Sequence, residues 1–282
     1  MRRRFLRTLL LLPLLMTAAA PVSAQGEIEP WLEATVEMAG VGEAGPRFDT
    51  GGHILSTSEF ISMVVQDASV AWTAVFEAAG RSFVPPTIML IEAGSYARSS
   101  CGINVGDPGE DDILTPMLYC QYGGETGVQR LDYSEILETR YIYSPLIYVS
   151  VPWVEGFARA SGVPADVAIS YRVMHEYSHH VARALGLTDH RGNAVDGLTG
   201  EQAEVAIECL SGVWAWSTFD QGKLDPATVE AAQLTAWGED APKMRLFGND
   251  RGYGTPAQQL EAFMAGYESG DPGVCLPADM AG

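Results

Sequence analysis

Hydrophobic spacing divides the chain into helical and extended stretches. Ser56-Thr57-Ser58-Glu59 sets a serine and a glutamate three apart ahead of an amphipathic run, a capping box that predicts a helix over residues 56–79 closed by Gly80. Pro85-Pro86 then precede Thr87-Ile-Met-Leu-Ile91, a continuous β-rich apolar run that reads as a buried strand. Residues 93–139 are polar, Gly-rich and poor in aromatics other than Tyr, and read mostly as loop. Residues 141–151 form a second strand candidate, broken by Pro145. Pro164 opens a breaker-free stretch, residues 165–185, that predicts a long helix ended by Gly186. Thr199-Gly-Glu-Gln202 is another capping box, and the helix it opens carries Ile207, Leu210, Val213 and Trp214, so one side of it must pack on a core. Residues 25–55 are rich in Gly and Glu with weak periodicity and read as a linker or irregular arm. No internal repeat interrupts this order.

The N-terminus changes the picture. Arg2, Arg3, Arg4 and Arg7 precede an apolar run over residues 9–16, and Val22-Ser23-Ala24 supplies the small residues read by a signal peptidase. Residues 1–24 are therefore expected to be a secretory signal peptide, cleaved after Ala24, with no stable membrane anchor left afterwards; the mature protein is expected to be periplasmic or secreted. No other stretch approaches the ~20 apolar residues of a spanning helix. The 282-residue chain is 47% hydrophobic and 19% charged, a globular composition. Its 36 acids against 17 bases give a formal charge of −19, which argues against nucleic acid or anionic lipid as a partner. In an oxidising compartment Cys101, Cys120, Cys209 and Cys275 suggest two disulfides, and none lies in a C-x-x-C pair of the kind that holds zinc.

The chemistry is concentrated in the 165–185 helix. His175-Glu176-Tyr177-Ser178-His179 is an H-E-x-x-H pattern. Residues four apart on a helix lie about 40° apart around its axis, so both imidazoles can face one zinc ion. Glu176, on the adjoining edge, can act as a base toward a water at that ion. His180 points elsewhere, about 140° from His175, and reads as a packing histidine; His53 and His190 read as solvated. A catalytic zinc site needs a third protein ligand. The long form ending in a third histidine is excluded, because Ala182 and Leu185 stand where its Gly and His belong. A carboxylate from the following helix remains, and Glu201, Glu204 and Glu208 share an arc of roughly 60°, which leaves the choice among them open.

The segment Val173-Met-His-Glu-Tyr-Ser-His-His-Val181, followed by Glu204-Val-Ala-Ile-Glu-Cys-Leu-Ser-Gly-Val-Trp-Ala215, resembles the putative neutral zinc metallopeptidase family of bacteria. The likeness extends through Tyr267-Glu-Ser-Gly-Asp-Pro-Gly-Val-Cys275, Cys101-Gly102 and Tyr119-Cys120. It implies that His175, His179 and Glu204 are zinc ligands, that Glu176 is the general base, and that Glu208, in place of the family's Asp, braces a ligand imidazole. Position along the axis agrees, since Glu201 sits in the first turn, where the helix dipole already accounts for a carboxylate. The span between Cys120 and the Leu146-Ile-Tyr-Val149 strand is longer than the family pattern.

The expected protein is an exported, zincin-like α+β domain over residues 56–282, helix-rich, with a small sheet packed on the His175 helix and the Tyr148 strand at the edge of the cleft. It is expected to hydrolyse peptide bonds in a peptide or protein substrate, which could add to that edge as a further strand. Tyr253 and Tyr267 are candidates for stabilising the oxyanion. Two other classes share the motif: a zinc hydrolase acting on a non-peptide amide of the cell wall, and a zinc-stabilised binding module, against which the intact Glu176 argues. The disulfides are expected to be Cys101–Cys120, closing a Gly-rich loop, and Cys209–Cys275, tying the C-terminal tail to the Glu204 helix.

Overall fold

The long helix predicted after Pro164 is the centre of the architecture. In the computed structural model, which describes residues 37–38, 48–49, 54–107, 114–121, 124–130, 136–142, 144–189, 192–195, 197–218, 226–237 and 254–276, it is one of six helices set against three small sheets. In chain order these are β1 (Glu37–Met38), β2 (Phe48–Asp49), β3 (Ile54–Leu55), α1 (Thr57–Ala78), β4 (Thr87–Ile91), β5 (Ser95–Arg98), β6 (Asn104–Gly106), β7 (Met117–Cys120), β8 (Gly124–Arg130), β9 (Ile136–Ile142), β10 (Leu146–Ser150), α2 (Val151–Ser161), α3 (Ala165–Leu185), α4 (Gly200–Thr218), α5 (Pro226–Trp237) and α6 (Pro256–Ser269), with a closing 3-10 turn over Pro272–Cys275. The fold is helix-rich α+β, as expected. The signal peptide, His53, His190 and Tyr253 lie outside the described residues.

Local chemistry sets the helix ends. The Ser56–Glu59 capping box forms in both directions, and Thr199 with Gln202 repeats it at α4. Gly186 ends α3 at a φ of 88°, a left-handed turn open to a residue without Cβ. Helix α2 was not foreseen: the second strand was expected to run to residue 151, but it stops at Ser150, and Pro152 sits in the first turn of a new helix.

The three-stranded sheet beside α3 runs in the order β4-β10-β7, with β10 parallel to β4 and antiparallel to β7. This corrects the placement of the Tyr148 strand. Strand β10 is the central, wholly buried strand, and β7 holds the edge. The Tyr148 hydroxyl faces the other sheet, accepting from the Ser100 amide at 3.0 Å and bonding Thr126 Oγ1 at 2.7 Å. The expectation of loop over residues 93–139 is also overturned. That stretch supplies β5 to β8 and part of β9, most of them in an antiparallel sheet of order β6-β5-β8-β9. Its strands are dense in Gly, Ser and charged residues, so neither apolar period appears in the sequence.

Helix α3 is enclosed by α1, α2, α4 and the β7–β10 edge of the sheet, with Ile169, Met174, Tyr177 and Val181 fully buried against Trp72, Phe76, Ile207 and Leu210. Helix α4, which follows it, crosses α6 at close range. A Cβ on Gly212 would run into the Phe263 carbonyl, and one on Gly266 into the Cys209 carbonyl. The crossing depends on both glycines, and the Cys209–Cys275 disulfide staples the same helix to the closing turn. Gly212→Ala should therefore cost about 3 kcal/mol by overpacking, whereas Gly200→Ala, with open space around it, should be neutral or mildly stabilising. Urea midpoints of the two variants against wild type test this.

Candidate metal centre

One turn of α3 and two turns of α4 build the centre. His175 and His179 stand four residues apart on α3, and Glu204 enters from α4. The His175 Nε2 and His179 Nε2 atoms lie 3.8 and 3.9 Å from Glu204 Oε2. One ligand atom from each of the three falls within 4.8 Å of the others. Two ligands held about 2.1 Å from one ion at the tetrahedral angle stand ~3.4 Å apart, so the cluster is close to the size one ion requires. The donor set, two imidazoles and a carboxylate with both ring edges turned to one point, fits zinc and leaves a fourth position open.

Behind this set the polar partners fix the tautomers. Glu208, wholly buried, accepts from His175 Nδ1 at 2.9 Å and from the Tyr171 hydroxyl at 3.1 Å. With Nδ1–H committed to Glu208, the lone pair of Nε2 faces the Glu204 side. Burial, and after it the charge of Arg172, push the His175 imidazole down to about 3, against an opposing pull from Glu176. The ring is neutral at ordinary pH, as a metal ligand must be. Arg172 is itself fully buried, its guanidinium 5.6 Å from the centre of the Trp153 ring.

Glu176 is buried beside the pair, and its Oε2 accepts from the Tyr119 amide at 3.1 Å. That amide belongs to β7, whose ring at Tyr119 lies nearly parallel to His179, interplanar 5° with centroids 6.4 Å apart. His180 is absent from the cluster. Its Nε2 bonds the Val84 carbonyl at 2.8 Å, so the proton is there, and Nδ1 accepts from the Tyr119 hydroxyl at 2.9 Å. Burial lowers its pKa from the ordinary histidine value.

The three acids of α4 separate by depth. Glu201 is exposed and accepts from Gln258 Nε2 at 3.0 Å, Glu204 joins the histidines, and Glu208 lies beneath them. Tyr267 packs in the core, stacked on Phe263 with centroids 6.4 Å apart. The disulfides of the structure are Cys101–Cys120 and Cys209–Cys275. Two contributors were missed in the sequence. Tyr171 carries a readable signal, since it lies four residues before His175 on one helix face. Tyr119 carries only its place beside Cys120, because its role runs through a backbone amide and any residue type has one.

A cavity of about 300 Å³ adjoins the Glu204 side of the centre, lined by Thr188, Asn193, Leu198, Ala203 and Ile207 among others.

Zinc titration of the metal-free protein should rank the acids: Glu204→Ala loses most of the binding, Glu208→Ala weakens it roughly 10- to 100-fold, and Glu201→Ala leaves it unchanged. Full retention by Glu204→Ala with loss in Glu208→Ala would reassign the ligand. Both buried imidazoles, His175 and His180, titrate below the ordinary histidine value in the folded protein. The unfolded chain therefore takes up more protons than the native one as pH falls below about 6.5, and their contribution to stability, complete above that value, is lost on acidification. Urea midpoints of the metal-free protein should fall between pH 7 and pH 5, with a shallower fall in His180→Asn.

Comparisons agree with this geometry. Residues 142–277 match the family model described as "Putative neutral zinc metallopeptidase". "Uncharacterized protein YpfJ" of Escherichia coli strain K12 is 23% identical over 231 residues, covering 77% of this chain and 70% of that protein. "Uncharacterized protein Rv2575" of Mycobacterium tuberculosis strain H37Rv is 31% identical over 134 residues, 41% of this chain and 45% of that one. No solved structure matches. The matched region contains His175, Glu176, His179, Glu204 and Glu208, and over residues 142–277 the match supports the likeness to the putative neutral zinc metallopeptidase family.

Proposed function

We propose that this protein is an exported zinc-dependent peptidase in which Glu176 is the general base. The observation that carries the reading is the convergence of His175 Nε2, His179 Nε2 and a Glu204 oxygen at one point, with the buried Glu176 carboxylate near enough to act on the charge of His175. A structural zinc site has four protein ligands and no use for an adjoining base. When bound, zinc supplies Lewis acidity to polarise a carbonyl and ease ionisation of water. Glu176 takes a proton from the attacking water and passes it to the leaving amine nitrogen, so each half of the hydrolysis is served by one carboxylate. One oxygen of that carboxylate is already bonded to the Tyr119 amide, which leaves the other for the proton.

An extended peptide could lie against β7, the edge strand on this side of the sheet. Export is supported by the basic-apolar-small pattern of residues 1–24 and by the two disulfides, which persist in oxidising compartments. Among the described residues no helix is long and apolar enough to cross a membrane.

Purified mature protein should carry about one zinc per chain and cleave casein or members of a peptide library, with the activity lost to a chelator and restored by zinc. Glu176→Gln should lower turnover by about 10²–10⁴-fold while zinc stays bound. Wild-type hydrolysis by Glu176→Gln would discard the mechanism.

A further inference from the structure

We propose that Tyr119 and His180 are a positioning pair for Glu176: a tether from α3 to the edge strand that sets where the base's carboxylate is held. The inference rests on the zinc-hydrolase reading and adds to it a role for two residues outside the ligand set. Three contacts carry it. The Tyr119 amide donates to Glu176 Oε2 at 3.1 Å, so the position of β7 sets the position of that oxygen. The Tyr119 hydroxyl bonds His180 Nδ1 at 2.9 Å, pinning the far end of the side chain to α3, four residues beyond Glu176. His180 is fixed in turn through Nε2, which donates to the Val84 carbonyl at 2.8 Å in the segment between α1 and β4. One strand residue thus holds the base with its backbone and is held by the same helix through its ring.

The directions of these bonds are not interchangeable. The Val84 carbonyl can only accept, so His180 carries its proton on Nε2, and Nδ1 can only accept from Tyr119. Burial raises the pKa of the Tyr119 hydroxyl, which keeps it a donor. The His180 ring is packed among Phe83, Tyr119 and Tyr177, with centroids 5.1, 5.6 and 6.5 Å away, so it has little room to turn. A carboxylate beside a metal can swing onto the ion and cease to be a base. A fixed amide donor on one of its oxygens opposes that movement.

Pure packing and positioning predict opposite orders at residue 180. In an aromatic enclosure His180→Phe keeps the ring and His180→Asn leaves a gap, so packing favours Phe. Asn keeps an acceptor oxygen near the place of Nδ1 and Phe does not, so positioning favours Asn. Acetohydroxamate is a suitable probe, because its hydroxyl proton passes to the base when it chelates the metal, and its affinity reads the placement of Glu176 without any peptide. Calorimetric titration of zinc-loaded wild type, Glu176→Gln, Tyr119→Phe, His180→Phe and His180→Asn should show a large loss in Glu176→Gln. Tyr119→Phe and His180→Phe should each lose about 3- to 10-fold, and His180→Asn should bind within roughly 2-fold of wild type, all with one zinc per chain. On a cleaved peptide Tyr119→Phe and His180→Phe should lower kcat with KM held, while His180→Asn should keep kcat near wild type. Wild-type affinity in Tyr119→Phe, or Phe outperforming Asn at residue 180, overturns the positioning role while leaving the zinc-hydrolase reading in place. Absence of bound zinc, or an affinity that ignores Glu176→Gln, overturns that reading and this inference with it.

Discussion

A helix enclosed on all sides must find a partner for every polar group it carries, and α3 carries many. From Ser170 to Ser178 each of its residues is buried, and seven of the nine are Ser, Tyr, Arg, His or Glu. A buried polar group left unpaired costs about 1–3 kcal/mol, so the neighbours of α3 are chosen by what they can offer. Tyr171 and His175 meet Glu208 of α4, and Glu176 meets the Tyr119 amide of β7. The Tyr177 hydroxyl reaches Ser69 of α1, and Ser178 accepts from Ser211 of α4. Arg172 lies against Trp153 of α2. The contacts that make a site of the helix also dock the elements around it.

Helix α4 is the element whose placement matters most, because a shift of an ångström would take Glu204 out of reach of the histidines. It is fixed from three directions: by Ser211 to Ser178 at 3.0 Å, by the Trp214 indole to Asp67 of α1 at 2.8 Å, and by its crossing with α6. The Gly212–Gly266 crossing sets how deep the helix lies, and the Cys209–Cys275 disulfide holds it on the far side of Glu208. Glu208, one methylene longer than the Asp of the family pattern, reaches His175 Nδ1 at 2.9 Å from this helix.

What the sequence disclosed was what depends on local spacing. The helix of residues 165–185, the two capping boxes and the strand at Thr87–Ile91 all follow from residue order within a few turns, and the structure has them at those positions. The grouping of His175 with His179 is a matter of helical period alone. The edge strand was misplaced because strand order is a non-local property: β10 and β7 are both short runs of apolar and aromatic residues, and nothing in either says which has a neighbour on both sides. The sheet over residues 95–142 was hidden for a related reason, since its pairing rests on backbone bonds between strands whose side chains follow no apolar alternation. Gly212 and Gly266 look like helix-weakening residues until the crossing that needs them is known.

The edge strand also limits how a peptide could approach. In an antiparallel ladder alternate residues turn their backbone groups to the same side. Pro116 sends its carbonyl to Ser150 of β10, whereas the Thr115 carbonyl is taken by Gly106 of β6 and the Tyr119 amide by Glu176 on the outer side. On that side the Tyr119 amide is committed to Glu176, so Tyr119 would offer an added strand only its carbonyl. A peptide would therefore pair over a short stretch next to Glu176 and could not compete for the amide that holds the base. Strand addition, as proposed, and retention of the base would be compatible, because they would use different atoms of the same residue.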